Sequence, residues 1–278
     1  MSVLDIDQLS LVIHAQGRDL PILENVSLAV EPGQVLGLAG ESGSGKTMTG
    51  LCVMGLEPRN STLTGAITVG DTAVTGPDRK RRLAELRGAR IAMVFQDPTT
   101  SLHPMLTIGS QLTDHARRHL RLDRAAARRR AAELLERVGI DRPGTLKQYP
   151  HEFSGGQRQR IAIASALMCS PQILIADEVT TALDVTVQAG ILRLIRQLTE
   201  DLGLAVLFIS HDLGVISALA DDVAVMQRGA IVEAGARLQV FTEPRHAYTK
   251  ALLASLPGAT GGLASREDLF RIDLRKDL

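Results

Sequence analysis

The sequence predicts an α/β protein built on a mostly parallel sheet with helices on both faces, and three observations carry that prediction. Four short apolar runs have the length of buried strands: QVLGLA ending at Ala39, IAMVFQ ending at Gln96, ILIAD ending at Asp177 and AVLFIS ending at Ser210. Unbroken Val, Ile, Leu and Ala runs of this kind belong to strands covered on both faces. Stretches of helical periodicity separate them, as parallel connections require. Each run also ends beside a polar candidate: the loop of Lys46, then Gln96, then Asp177 with Glu178, then His211. Ligands of open α/β sheets bind outside the carboxyl ends of the strands, so four motifs scattered in sequence are expected along one edge.

Taken in order, the first element is an alternating β pattern from Val3 to Val30, matched by another from Gly65 to Val74. With their Gly and Asp turns these suggest a small antiparallel subdomain flanking the main sheet. GESGSGKT, Gly40 to Thr47, has the spacing G-x-x-x-x-G-K-[ST] of a phosphate-binding P-loop and lies between a strand and the helical TMTGLCVMG. Its glycines let the backbone fold around phosphate, Lys46 pairs with phosphate oxygens, and the Thr47 hydroxyl is a Mg²⁺ ligand. The glycine order does not fit the G-x-G-x-x-G of a dinucleotide fold.

From Gln96 to Ser165 the pattern is helical, which predicts a helical subdomain inserted between strands. Ala127, Ala131, Leu134, Leu135 and Val138 share a face there, with Gly139 as a stop. FSGGQRQR, Phe153 to Arg160, opens another helix with a Ser and two glycines. That start offers free amides and a hydroxyl to an anion, and it reads equally as a plain helix cap. Asp177 closes its strand where a hard cation would find an oxygen ligand. If the strand alternation continues, Glu178 points elsewhere and is free to orient an attacking water. Asp184 is a predicted N-cap for a helix to about Leu202, burying Val187, Ile191, Leu194, Ile195 and Leu198 and stopping at Gly203. His211 stands at the nucleotide edge within reach of a γ-phosphate, and Gln96 can coordinate Mg²⁺ or hold water while opening the helical subdomain. Gly258 to Ser265 reads as a linker or frayed end.

Composition bounds the function. The 278 residues are 45% apolar, enough for a substantial core, with formal charge +0 and no Trp, so a base-stacking or broadly basic nucleic-acid surface is not expected. No signal-peptide layout or bilayer-length apolar run is present, which predicts a chain that stays in the cytosol. Cys52 and Cys169 lack metal-ligand spacing and read as reduced, buried apolar residues. Arg117, Arg118, Arg121, Arg124, Arg128, Arg129 and Arg130, with Glu133 and Glu136 nearby, read as a solvated helix surface in preference to a lipid or partner face.

In this order, a P-loop, a strand ending in Gln, SGGQ, a strand ending in Asp-Glu, an ALD segment (Ala182 to Asp184) and a strand-end His resemble the ATP-binding subunit of an ABC transporter. The resemblance covers residues 1–257, leaving a short tail at 258–278. It implies a P-loop NTPase of RecA-like core, with the small antiparallel β subdomain and a helical subdomain at about 97–165, together an ABC nucleotide-binding domain. It implies ATP and Mg²⁺ as cofactors. Gly40, Glu41, Ser42, Gly43, Ser44, Gly45, Lys46 and Thr47 would be Walker A, Gln96 the Q-loop, and Ser154, Gly155, Gly156 and Gln157 the signature. Asp177 would be Walker B, Glu178 the catalytic carboxylate, Asp184 the D-loop and His211 the switch, with Thr47, Gln96 and Asp177 around the metal. In the family's mechanism, ATP on one chain's P-loop is closed over by the signature of another.

DPTTSLHPMLTIGSQL (Asp97 to Leu112), YPHEFSGGQRQRIAIA (Tyr149 to Ala164) and EPRHAYTKALLAS (Glu243 to Ser255) further resemble the peptide/nickel import ATPases. That implies a subunit on the cytoplasmic face of the inner membrane, energising uptake of peptides or of nickel or metal chelates. The partners implied are two transmembrane permease subunits, a second ATP-binding subunit, identical or paralogous, and an extracytoplasmic solute-binding protein, with no nucleic acid. Val179 stands where the family usually has Pro. Ile13 or His14 occupies the neighbourhood of the usual adenine-stacking aromatic. The chain stops before the Cys-bearing extension of longer peptide members, closer to the shorter nickel and metallophore types. A soluble ABC ATPase acting on DNA or ribosomes would usually carry two cassettes, a coiled coil or zinc modules. A regulatory cassette that binds ATP without hydrolysing it is opposed by Glu178 and His211.

Overall fold

The computed structural model describes residues 2–15, 17–97, 101–181 and 183–255; the expected tail at 258–278 and Ala182 of the ALD segment lie outside them. The N-terminal alternation folds as a long hairpin, β1 (Leu4–Ala15) and β2 (Arg18–Val30). Beyond β3 (Val35–Ala39), strands β4 (Ser61–Val69) and β5 (Thr72–Ala73) join that hairpin in an antiparallel sheet of order β2-β1-β4-β5. The second β segment therefore starts at Ser61 rather than at Gly65, because Ser61 to Thr64 pair with Ile13 to Ser10 of β1.

The larger sheet contains β3, β6 (Ile91–Val94), β7 (Ile173–Asp177), β8 (Ala205–Ser210), β9 (Asp222–Gln227) and β10 (Ala230–Ala236). Its order is β10-β9-β3-β8-β7-β6, parallel except for β10. Strands β9 and β10 fall outside the sequence expectation. The last pair of the β6–β7 ladder is Val94 with Ala176, so β6 stops at Val94 and not at Gln96. Among the described residues it is an edge strand, with β7 as its one neighbour in the sheet.

Side-chain alternation sends the two faces of this sheet into two cores. Leu36, Leu38, Ile175, Leu207 and Ile209 pack with the small sheet and with α1 (Lys46–Met54) and α2 (Arg79–Leu86). Val35, Ala39, Ala176, Val206 and Phe208 pack on the opposite face against the remaining helices. These are α3 (Ile108–Leu120), α4 (Arg124–Arg137), α5 (Gly155–Leu167), α6 (Val185–Leu202) and α7 (Leu213–Leu219), followed by α8 (Arg237–Thr242) and α9 (Ala247–Ala254). Ala127, Ala131, Leu135 and Val138 are buried and Leu134 is half-buried; the backbone at Gly139 is left-handed, φ 76°, just past α4. Asp184 caps α6 by accepting from the Val187 amide at 2.9 Å, and Gly203 ends it with φ 62°. Of the residues expected to be buried on α6, Val187 alone is half-buried.

Cys52 and Cys169 are free and buried, one in each core. Burial pushes the Cys52 thiol up to about 12, with Glu57 adding to the effect. The arginines of α3 and α4 are mostly exposed, but Arg130 is an anchor, donating to Met168 O at 2.5 Å and Ser170 Oγ at 2.7 Å.

Helix α7 lies so close to the sheet that a Cβ on Gly37 would sit 2.6 Å from Ile216 Cγ2 and 3.0 Å from Ala220 Cβ. Gly37→Ala is therefore expected to lower stability by about 1–3 kcal/mol through overpacking. Combined with Ile216→Ala, the loss measured by urea unfolding should be less than the sum of the single losses, because the removed methyl is the one that clashes.

Candidate active site

The P-loop leaves the sheet from a central strand, β3, flanked by β8 and β9. Gly40 turns the chain with φ 145°, and a Cβ there would lie 2.2 Å from Met226 O, so the turn requires glycine. Gly45, φ 109°, is the N-cap of α1 and has no side chain to cap it. The opening amides of α1 are thus left for an external acceptor, at the end of the helix that attracts negative charge. Ser44 Oγ is buried and without a hydrogen-bond partner among the described residues.

Lys46 is 4% exposed and donates to Gly40 O at 2.7 Å and Glu41 O at 2.8 Å. Burial holds its pKa below the usual lysine value, opposed by the charges of Glu178, Asp177 and Glu41. An ammonium bonded to two neutral carbonyls in a half-dry site has much to gain from phosphate oxygens.

The Thr47 hydroxyl donates to Asp177 Oδ1 at 3.0 Å. Burial pushes Asp177 up to about 6; Glu178 adds to the rise, while the Thr47 bond and Lys46 oppose it. Glu178 does point elsewhere, though not by strand alternation. Its backbone turns left-handed, φ 48°, one residue past β7. Its Oε1 lies 2.9 Å from His211 Nδ1, and Thr181 Oγ1 donates to its Oε2 at 3.4 Å.

Gln96 and Glu178 line one cleft of about 350 Å³ with Ser42, Gly43, Gly45, Lys46 and Thr47. His211 lies on the adjoining hollow, lined also by Thr180, Thr181 and Leu183, and reaches the P-loop cleft through Glu178. Ser154 to Gln157 do not line that cleft. They form a reciprocal capping box at the start of α5: Ser154 Oγ accepts from the Gln157 amide at 3.3 Å, and Gln157 Oε1 accepts from the Ser154 amide at 3.0 Å. A Cβ on Gly156 would meet Val187 Cγ1 at 2.4 Å, whereas one on Gly155 would find Leu183 at 3.9 Å. The described residues therefore fall into two groups, the P-loop with Gln96, Asp177, Glu178 and His211, and SGGQ against the segment of Asp184.

Three contributors escaped the sequence reading. Ile22 and Met48 also line the cleft. Tyr248 Oη accepts from the Glu41 amide at 3.1 Å; the segment around it stood out as a sequence mark without a role. In the neighbourhood of the missing aromatic, His14 is held at both nitrogens, by Asp19 at 2.7 Å and Thr62 at 2.7 Å. Val179, in place of the usual Pro, is buried in the helix-side core.

The sequence profile described as ABC transporter matches residues 23–181, over half of the chain. The chain belongs to the ABC transporter family. It is 46% identical over 262 residues to the Probable D,D-dipeptide transport ATP-binding protein DdpD of Escherichia coli, covering 92% of this chain and 78% of that one. It is 43% identical over 260 residues to the Oligopeptide transport ATP-binding protein OppD of Bacillus subtilis, covering 92% and 72%. Among solved structures it resembles cbiO1 of Clostridium perfringens, part of the ABC transporter complex cbiONQ, with TM-score 0.73 and 26% identity over 87% of this chain and 91% of that one. It also resembles the dimeric ATP-binding cassette MJ0796 bound to ADP and Pi, with TM-score 0.73 and 26% identity over 84% and 98%. The fold is that of an ABC ATPase.

The raised pKa of Asp177 makes a prediction for this ABC chain free of nucleotide. Between about pH 4, the ordinary aspartate value, and about 6, the folded value, the folded state holds a proton that the unfolded state releases. Stability therefore falls as pH rises through that window. Asp177→Asn should melt higher than the unsubstituted protein above pH 6, with the difference closing below pH 4. A constant difference in Tm across a pH series would count against a carboxylate whose burial outweighs its bond from Thr47.

Proposed function

We infer that ATP is bound and hydrolysed at the P-loop cleft to energise uptake of di- or oligopeptides across the cytoplasmic membrane. The observation that carries this reading is the convergence of Gln96, Lys46, Thr47 and Glu178 on one cleft at the carboxyl ends of β3, β6 and β7, with Asp177 joined to it through Thr47, supported by similarity to peptide transport ATP-binding proteins. The names of those relatives favour peptides over nickel or metal chelates.

The residues fit the chemistry. The open amides of α1 accept the phosphates, and Lys46 exchanges its two carbonyl partners for phosphate oxygens. Thr47, Asp177 and Gln96 are neutral or anionic oxygen donors suited to Mg²⁺, which keeps waters and takes phosphate ligands of its own. When bound, Mg²⁺ neutralises charge on the phosphates. Glu178 is turned away from the Thr47–Asp177 pair, and its free lone pairs orient and accept a proton from the attacking water. His211 holds that carboxylate in place.

SGGQ faces a different nucleotide. With its amides away from the P-loop cleft, Ser154 to Gln157 are assigned to the ATP carried by a second ATP-binding subunit, and this chain's own ATP to the signature of that subunit. Among the described residues no helix is long and apolar enough to cross a membrane. The reading assigns the passage to two permease subunits, solute capture to an extracytoplasmic binding protein, and this chain to the cytoplasmic face.

Two substitutions test the assignment in the transporter assembled with its permeases. Glu178→Gln should retain ATP binding and lower ATP turnover by about 100-fold or more, the scale of a lost general base. Turnover like the unsubstituted protein's would remove Glu178 from that role. Gly155→Asp, which has room at its Cβ, should bind ATP normally yet lose turnover and uptake of a labelled tripeptide. Unchanged hydrolysis would refute the placement of SGGQ against another subunit's ATP, and uptake of nickel but not peptide would overturn the substrate class.

A further inference from the structure

Helix α9, the last among the described residues, is anchored at its start and along its length. Glu233 of β10 accepts from the Arg245 amide at 2.7 Å and from the His246 amide at 3.0 Å, holding the turn that leads into the helix. Thr249 and Leu253 are buried further along it. This clamp presents the half-buried Tyr248 to the P-loop, 207 residues away in sequence, where its phenol oxygen accepts from the Glu41 amide at 3.1 Å.

The Glu41 N–H belongs to the Gly40–Glu41 peptide, and the carbonyl of that same peptide is Gly40 O, which takes the Lys46 ammonium at 2.7 Å. One planar peptide group therefore joins Tyr248 to Lys46. The peptide is held in the one orientation that turns its carbonyl inward. It sits at a glycine turn whose φ, 145°, leaves the backbone without Cβ restraint.

We propose that Tyr248 is a positioning residue of the phosphate-binding loop, fixing the Gly40–Glu41 peptide so that the loop keeps its shape when Lys46 leaves its carbonyls for phosphate. Helix α9 then senses the phosphate content of the cleft. This rests on the ATP reading of the site. By linkage the coupling is reciprocal: the contact strengthens nucleotide binding, and nucleotide alters the surroundings of the phenol.

The test uses the full chain. Tyr248→Phe keeps the ring and removes the acceptor, and loss of one such bond is expected to raise the Kd and KM for ATP by about 3- to 10-fold with kcat at saturating ATP unchanged. A residue of merely structural importance would lower Tm and leave KM alone, and that result would overturn the proposal. Because the chain has 2 tyrosines, Tyr149→Phe leaves Tyr248 as the sole site for fluorotyrosine. Its fluorine resonance should shift with ATP and ADP and not with adenosine. A resonance unmoved by ATP, in protein that calorimetry shows to bind ATP, would overturn the proposal alone; failure of the unsubstituted chain to bind ATP would overturn the site reading beneath it.

Discussion

The active cleft depends on the point at which β7 ends. Asp177 is the last residue in register, opposite Ile209, and Glu178 then turns left-handed while its amide still donates to Ile209 O at 2.9 Å. A left-handed non-glycine residue costs on the order of 1–2 kcal/mol, and a side chain tied to His211 and Thr181 helps hold it. The turn separates two adjacent carboxylates by environment. Asp177 is 4% exposed and pressed against Thr47. Glu178 stands at the wall of the cleft with a histidine behind it.

Strand β6 stops one pair short of the end of β7. Among the described residues β7 is its one ladder partner, the ladder closes at Val94 with Ala176, and Phe95 and Gln96 continue as a loop. Gln96 is thereby released from the strand toward the P-loop side, on the stretch that leads into the helical elements. A side chain locked in a ladder would have a fixed face; one just beyond it can follow a ligand.

Much of this was legible in the sequence because the informative residues end strands. Unbroken apolar runs mark β3, β6, β7 and β8, and in a parallel sheet their carboxyl ends share one edge, so the placement of Lys46, Gln96, Asp177 and His211 along that edge follows from pattern alone. Caps were equally readable at Asp184 and Gly203, where local chemistry decides. What was not legible depends on backbone dihedrals or distant contacts. Alternation anticipates a divergence of Asp177 and Glu178, but not that it arises from a φ of 48°. Half-exposed β10 has neither the alternation of a surface strand nor the run of a buried one. The packing of Gly156 on Val187 and the bond from Glu41 to Tyr248 join segments that no periodicity connects.

The electrostatics of the cleft bear on the proposed division into two half-sites. Lys46 and Asp177 are both driven by burial toward their neutral forms, the first below its usual value and the second up to about 6. Each is therefore a charge held at a cost that neighbours within the chain relieve only in part, Glu178, Asp177 and Glu41 for Lys46 and Thr47 and Lys46 for Asp177. The SGGQ start of α5 is the reverse case, since its capping box already satisfies the Ser154 and Gln157 amides within the chain. On the proposed division, the P-loop cleft holds this chain's ATP and SGGQ closes over the ATP of another subunit.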